Sequence, residues 1–284
     1  MAPSFIQTNS ASATTTALAV AFPSNNTLDN FLVAVLRLPF GSGSTYTVFD
    51  SQGNNWVNYI NFAQSTDRYQ LWYTTGCKPG ANTVTAESVP QVSTFFRMII
   101  AEYSGVTSQT SSVTDGQTSA IGNSTAVSSG SLATANASDL LIGFTANQDA
   151  DGGSGTFTVT GGSGWNFRRQ QDTNLNLYDM NVSSTGSYSF TGTDAGIVHW
   201  GAGIAAFTAS TLGFTYSGYG SNDSGGVALP AQEPTSADWQ AQTASINQLT
   251  ASGGRGPTNV GVLYQSGGGG TTPGDGQIFP TGRS

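Results

Sequence analysis

Residues 26–36 read NTLDNFLVAVL, and residues 136–144 read NASDLLIGF. Phe31–Leu36 is an unbroken apolar run, β-branched in part and short. Length and β-branching favour a strand over a buried helix segment. A strand without polar alternation is one covered on both faces. Met98–Ala101 (MIIA) carries the same message.

Working outward, strand-like segments bounded by turn residues recur along the chain. They are Thr15–Phe22, Asn30–Leu38, Ser44–Asp50, Trp56–Phe62, Arg68–Thr75, Asn82–Glu87 and Thr94–Tyr103. Then come Ser124–Leu132, Asp139–Ala146, Gly155–Thr160, Asn166–Gln171, Leu175–Val182, Ser187–Gly192 and Ile197–Phe207. Many short strands with regular turns predict a sandwich or barrel.

The two opening stretches also suggest an internal duplication. Asp29 aligns with Asp139, Thr45-Tyr-Thr-Val48 with Thr156-Phe-Thr-Val159, Trp56 with Trp165, and Met98–Tyr103 with Ala202–Phe207. The order is kept and the spacing drifts slightly, as loop changes would produce. Such a duplication gives two similar sandwiches or one intertwined sandwich. The expected organisation is a first β-sandwich half over 1–104, a second over 105–211, and an extended arm over 212–284.

The arm is Gly-rich, with Gly267–Gly270 in a row and little periodicity. One short helix is expected there, capped by Ser236, with Trp239, Ile246 and Leu249 on one face. Alone, this composition reads as disordered. Ordering it costs about 1–2 kcal/mol per residue in backbone entropy. The expectation is that neighbouring subunits hold it.

Only 8% of residues are charged, against roughly 25% in an average domain. Ser, Thr, Asn and Gln must supply the polar surface, and they suit strands and turns better than helices. Net charge is −8, and Arg168-Arg169 is the one adjacent basic pair. Binding nucleic acid through phosphate neutralisation is not expected. Nor is membrane insertion, since no 18-residue apolar run occurs. The start, MAPSFIQTNSASATTTALAVAF, lacks the basic and apolar regions of a signal peptide. Assembly in a host cytoplasm is the expectation, with an extracellular or cell-surface location as the alternative.

Few residues offer chemistry. His199 is the single histidine, and Asp194 lies nearby in sequence. A Ser/His/Asp triad lacks its G-x-S-x-G; Ser163 sits in the wrong spacing, so no catalytic residue is assigned. The acids are too thinly spread for a glycosidase pair, and neither Glu87 nor Glu102 has a distinctive context. Asn147, Asp149 and Asp151, followed by Gly152, resemble the start of a Ca²⁺ loop. Position twelve is Thr158, where a Glu belongs, so a plain acidic turn competes. Ca²⁺ is the one cofactor the sequence points to. Trp56 and Trp72 belong to an aromatic-rich stretch and are the candidates for stacking on sugar rings. Tyr69, Leu71 and Tyr73 share the face opposite Trp72. The alternative for both tryptophans is core filling. Cys77, the single cysteine, reads as a turn thiol in Gly76–Gly80, its pKa lowered slightly by Lys78.

These elements fall into an order. Asp50–Trp56 (DSQGNNW) is followed by Leu71–Thr74, Gly80–Thr85 (GANTVT) and Glu102–Gly105 (EYSG). The pattern resembles a jelly-roll-like β-sandwich domain of phage structural proteins and bacterial surface proteins, over about residues 10–208. The resemblance implies a fold, and no catalytic residues. The expected class is therefore all-β, a jelly-roll-like antiparallel sandwich with a duplication and a C-terminal arm. The expected protein is non-enzymatic, a virion structural component such as a phage capsid decoration protein. Its partners would be copies of itself and other capsid or virion proteins. The alternative is a glycan-binding adhesion module, or a filament subunit of a bacterial surface.

Overall fold

A computed structural model describes residues 2–39, 45–64, 66–147, 158–159 and 164–210. The expected arm and its short helix lie outside the described residues. Among those described there is no helix, and the chain is all-β.

The first eight strands are β1 (Ser4–Thr15), β2 (Ala17–Ala21), β3 (Phe31–Pro39), β4 (Thr45–Asp50), β5 (Val57–Gln64), β6 (Asp67–Thr74), β7 (Thr83–Val89) and β8 (Thr94–Ser104). They form a five-stranded sheet, β1-β8-β3-β6-β5, and a three-stranded sheet, β2-β7-β4. All pairings are antiparallel. The pairs β1·β8, β2·β7 and β3·β6 are those of a ribbon wound on itself, the jelly-roll plan. The fifth strand departs from that plan and extends the larger sheet beside β6.

The remaining strands are β9 (Thr114–Ala133), β10 (Asp139–Asn147), β11 (Thr158–Val159), β12 (Asn166–Gln171), β13 (Leu175–Val182) and β14 (Ser187–Thr208). Their order is β11-β14-β10-β13-β12, with β9 also on β14. The winding repeats. The first part of β9 takes the place of β1 and its second part that of β2. The two parts of β14 replace β8 and β7. The strands expected at Ser187–Gly192 and Ile197–Phe207 are thus one strand, with a register shift between Thr193 and Val198.

β3 explains the apolar run. Phe31, Val33 and Val35 enter one core with Leu140, Ile142, Phe144 and Phe207. Leu32, Ala34, Leu36 and Leu38 enter a second, with Leu18, Val20, Val48 and Val84 of the three-stranded sheet. Successive side chains point to opposite faces, so a strand of the middle layer has no polar face to show. Each fully buried Leu or Val contributes roughly 1.5–3 kcal/mol. On the far face of the second half, Val127, Leu132 and Phe190 fold back over Leu141, Tyr178 and Ile204. The β9–β14 ribbon thereby covers its own sheet.

Two strands went unseen in the sequence: β1 over residues 4–14, and β9 over 114–123. Both are half-buried along most of their length. Each is an edge strand of its sheet, and an edge strand at a sheet-to-sheet seam need not alternate apolar with polar. Arg169 Nε on β12 donates to Ser10 Oγ of β1 at 2.9 Å, and Asn181 Nδ2 on β13 to Pro3 O at 2.7 Å. These bonds stitch the two halves together.

The register also corrects the repeat alignment. Phe31 pairs with Tyr103 and Leu140 with Phe207, both within one core. Asp139 therefore matches Asn30, not Asp29. Asp29 is an exposed turn residue with φ of 65°. Asp139 begins a strand and is fully buried. A slip of one residue reverses a strand's faces, so two acids of similar context have opposite environments.

Candidate functional site

The residues that carry the family-like pattern converge at one end of the first sandwich. β4 ends at Asp50, which becomes an acceptor hub. Its Oδ1 receives the Asn54 N–H at 3.0 Å. Its Oδ2 receives Asn54 Nδ2 at 2.7 Å, Trp56 Nε1 at 3.0 Å and Asn82 Nδ2 at 3.0 Å. Burial alone would raise the Asp50 carboxyl. The hydrogen bonds from Asn54, Asn82 and Trp56 together outweigh it and hold the pKa below the ordinary value. Gly53, with φ of 66°, makes the turn that brings Asn54 back over Asp50. Lys78 closes the loop from outside, its Nζ donating to Gln52 O at 3.0 Å and Gly53 O at 3.1 Å.

A second hub lies beneath. Glu102 is fully buried in β8. Its Oε1 accepts from the Thr27 N–H at 2.8 Å and Asn30 Nδ2 at 2.7 Å. Its Oε2 accepts from Asn26 Nδ2 at 2.7 Å and from Gln7 Nε2. One carboxylate thus ties β1, the 22–30 loop and β8 together. The 22–30 loop in turn pairs with the 77–80 turn through Asn26 and Gly80, which exchange backbone bonds of 2.8 and 3.0 Å. Glu102 was expected to have no special role. The one signal for it is an acid inside an apolar strand, MIIAEY, where an unpaired charge would be prohibitive.

Cys77 sits between the hubs, fully buried, its Sγ 3.1 Å from Thr27 O. Lys78 was expected to lower its pKa. Instead burial, then the Glu102 charge, push the thiol up to about 12. The Lys78 ammonium is turned away to the 50–54 loop carbonyls.

The sugar-stacking expectation for Trp72 is overturned by its place in the fold. The ring is buried in the core between the five- and three-stranded sheets, and its Nε1 donates to Gln70 Oε1 at 2.9 Å. Trp56 is half-buried against that same core, its N–H committed to Asp50. Both serve the core, Trp56 as a peg for the turn. Tyr69, Leu71 and Tyr73 line the opposite core, as their alternation with Trp72 requires.

Of the calcium candidates, Asn147 ends β10 fully buried, and its Nδ2 donates to the Asp194 carboxylate. Asp149 and Asp151 lie outside the described residues, as does Ser163. Thr158 begins β11 and pairs with Thr193. Among the described residues no three His, Cys, Asp or Glu side chains cluster as a metal site would require. The Asp50 and Glu102 oxygens face N–H donors, the wrong polarity for a cation. Asp194 is paired with Asn147, and His199 is half-buried on β14 opposite Asn123.

Compared with family models, curated proteins and solved structures, the chain matches none.

Proposed function

We propose that the chain is a virion structural protein, a phage capsid decoration or related surface component, assembled in a host cytoplasm. The observation that carries this is how the pattern residues are used. Asp50, Asn54, Trp56, Asn82 and Glu102 are all spent on tying loops to strands. A conspicuous polar network committed to holding a shape supports a scaffold whose work is done by its surfaces.

Two further features support the reading. The outward face of the three-stranded sheet carries exposed Phe49 and Val89 beside Thr45 and Thr47, with the acid Glu87 opposite Thr47, and its apolar side chains suit docking. The end of β14 is fixed at the waist between the halves: Ser210 N–H donates to Gly105 O at 2.7 Å. The last described residues before 211–284 are therefore firmly held, which suits a segment that clasps a neighbour.

Light scattering after size exclusion tests the arm. The full chain is expected to run as an oligomer and a chain ending at Ser210 as a monomer. Identical monomers would sink the proposal. Filaments in electron micrographs of the full chain would replace it with the filament-subunit reading.

A further inference from the structure

Asp139 is a buried acid that no neighbouring donor serves. It is fully buried at the start of β10, and neither carboxyl oxygen receives a hydrogen bond from an amide, hydroxyl or guanidinium. The group set against it is the side chain of Asp115 on β9, whose charge acts on the Asp139 carboxyl. Two ionised carboxylates repel; they bond only when one proton lies between them. Asp115 is itself held in place, its Oδ2 accepting the Ala135 and Asn136 N–H groups at 2.8 and 2.7 Å.

The pair lies at a junction. Asp139 is paired in register with Thr208, the last residue of β14. Asn136 Nδ2 reaches Thr208 Oγ1 at 3.2 Å. The Thr208 N–H donates to Val113 O at 2.8 Å, Ala209 to Ser138 O at 3.0 Å, and Ser210 to Gly105 O at 2.7 Å. These are the last described residues before 211–284.

We propose that Asp115 and Asp139 share one proton and so form a pH-dependent latch, which clamps the 134–139 loop and Thr208–Ser210 in acid and loosens them in mild alkali. The proposal stands whether or not the chain decorates a capsid. Few other groups can interfere. From β5, Tyr59 feels the Asp115 charge, and burial raises its own hydroxyl above the ordinary value. The 105–113 and 134–138 loops, Thr208–Ser210 and Asn181–Val182 carry no charged residue. A Ca²⁺ ion is a poorer occupant. It needs about six to eight oxygens, whereas Asp139 is fully buried and one Asp115 oxygen already faces two N–H donors.

Burial first, and then Asp115, raise the Asp139 pKa to about 7. The folded state therefore holds a proton that the unfolded chain has already lost. The latch contributes fully below the ordinary carboxylate pKa and is lost as pH rises through about 7.

Two measurements on the full chain test this. In ¹³C NMR the Asp139 carboxyl is expected to titrate near 7, and titration near an ordinary aspartate value overturns the latch. Hydrogen exchange at the Thr208, Ala209 and Ser210 amides, corrected for base catalysis, is expected to speed up by up to about tenfold between about pH 6 and pH 8. Asp139→Asn and Asp115→Asn should each remove that rise. A rise unchanged in both variants overturns the latch. Protection restored at the higher pH by millimolar Ca²⁺, and reversed by EDTA, also overturns it and puts a cation between the carboxylates.

Discussion

The two halves wind the same ribbon but solve the same local problem with different chemistry. In both, the loop before a central strand must be fastened to the strand that closes the sheet. In the first half, Glu102 on β8 gathers four N–H donors from Gln7, Asn26, Thr27 and Asn30. In the second half the register puts Ala206 in the place of Glu102 and Asp139 in the place of Asn30. The acceptor has moved from the closing strand to the central one, and the donors have gone. What faces Asp139 is another acid. One fold therefore tolerates a saturated anion at one end and a carboxyl pair at the other, because the hydrophobic layers and the winding carry the architecture.

The hardest test of that contrast is Glu102→Ala. It strands several buried donors at once, each costing about 1–3 kcal/mol when left unsatisfied. We expect a loss on the order of 4 kcal/mol in denaturant unfolding, and a drop in Tm of roughly 10 °C. A loss below about 1 kcal/mol would mean that the hub is dispensable and that the two halves differ in ornament only.

Packing offers a smaller test. Ala34 on β3 and Gly143 on β10 occupy matching places, each pointing away from the shared core. A Cβ at Gly143 would lie 2.7 Å from Phe190 Cδ2 and 2.8 Å from Trp165 Cζ3. The space a Cβ would take at Gly143 is thus filled by the Phe190 and Trp165 rings. Gly143→Ala is expected to destabilise by about 1–3 kcal/mol through overpacking. Were it neutral, the second half's cover would be looser than its aromatic contacts imply.

The halves should also respond to pH in opposite senses. Asp50, with its carboxyl held below the ordinary value, adds stability that is present above the unfolded carboxylate pKa and lost as pH falls through the lowered one. Asp139 adds stability present in acid and lost as pH rises through about 7. Thermal unfolding across pH should show both limbs. Asp50→Asn is expected to flatten the acid limb alone, and Asp139→Asn the other alone. If either variant moved both limbs, the two networks would be coupled across the shared core.

The layers were legible where the sequence had one environment per residue. FLVAVL announced a strand buried on both faces, and the alternation set Tyr69, Leu71 and Tyr73 on one face and Trp72 on the other, though not that each face meets a core. The edge strands were not legible, because SASATT and TDGQTSA answer to a seam between sheets. The functional residues were harder still. Trp72 looked like part of a sugar platform because aromatic content does not say which face is outward. Glu102 and Asp139 passed as ordinary acids because their meaning rests on partners up to 95 residues away in sequence. The one-residue difference between Asp29 and Asp139 appears only once the pairing register is known.

The finest comparison uses Cys77 as a built-in reporter on the first half. The thiol is buried, and its pKa of about 12 leaves roughly 10⁻⁴ of it ionised at pH 8. A disulfide reagent should therefore label folded protein only when the 22–30 loop lifts off Glu102 and exposes the sulfur. Glu102→Gln, which keeps the shape but loses acceptor capacity, is expected to raise the labelling rate at least tenfold with the fold intact. Asp139→Asn acts at the other half's loop and should leave the rate unchanged. A matching increase in both variants would mean that Cys77 is exposed by global opening, and that the two fastenings rise and fall as one cooperative unit. Separate responses would mean that each half keeps its own loop, and that repeating the winding did not repeat the lock.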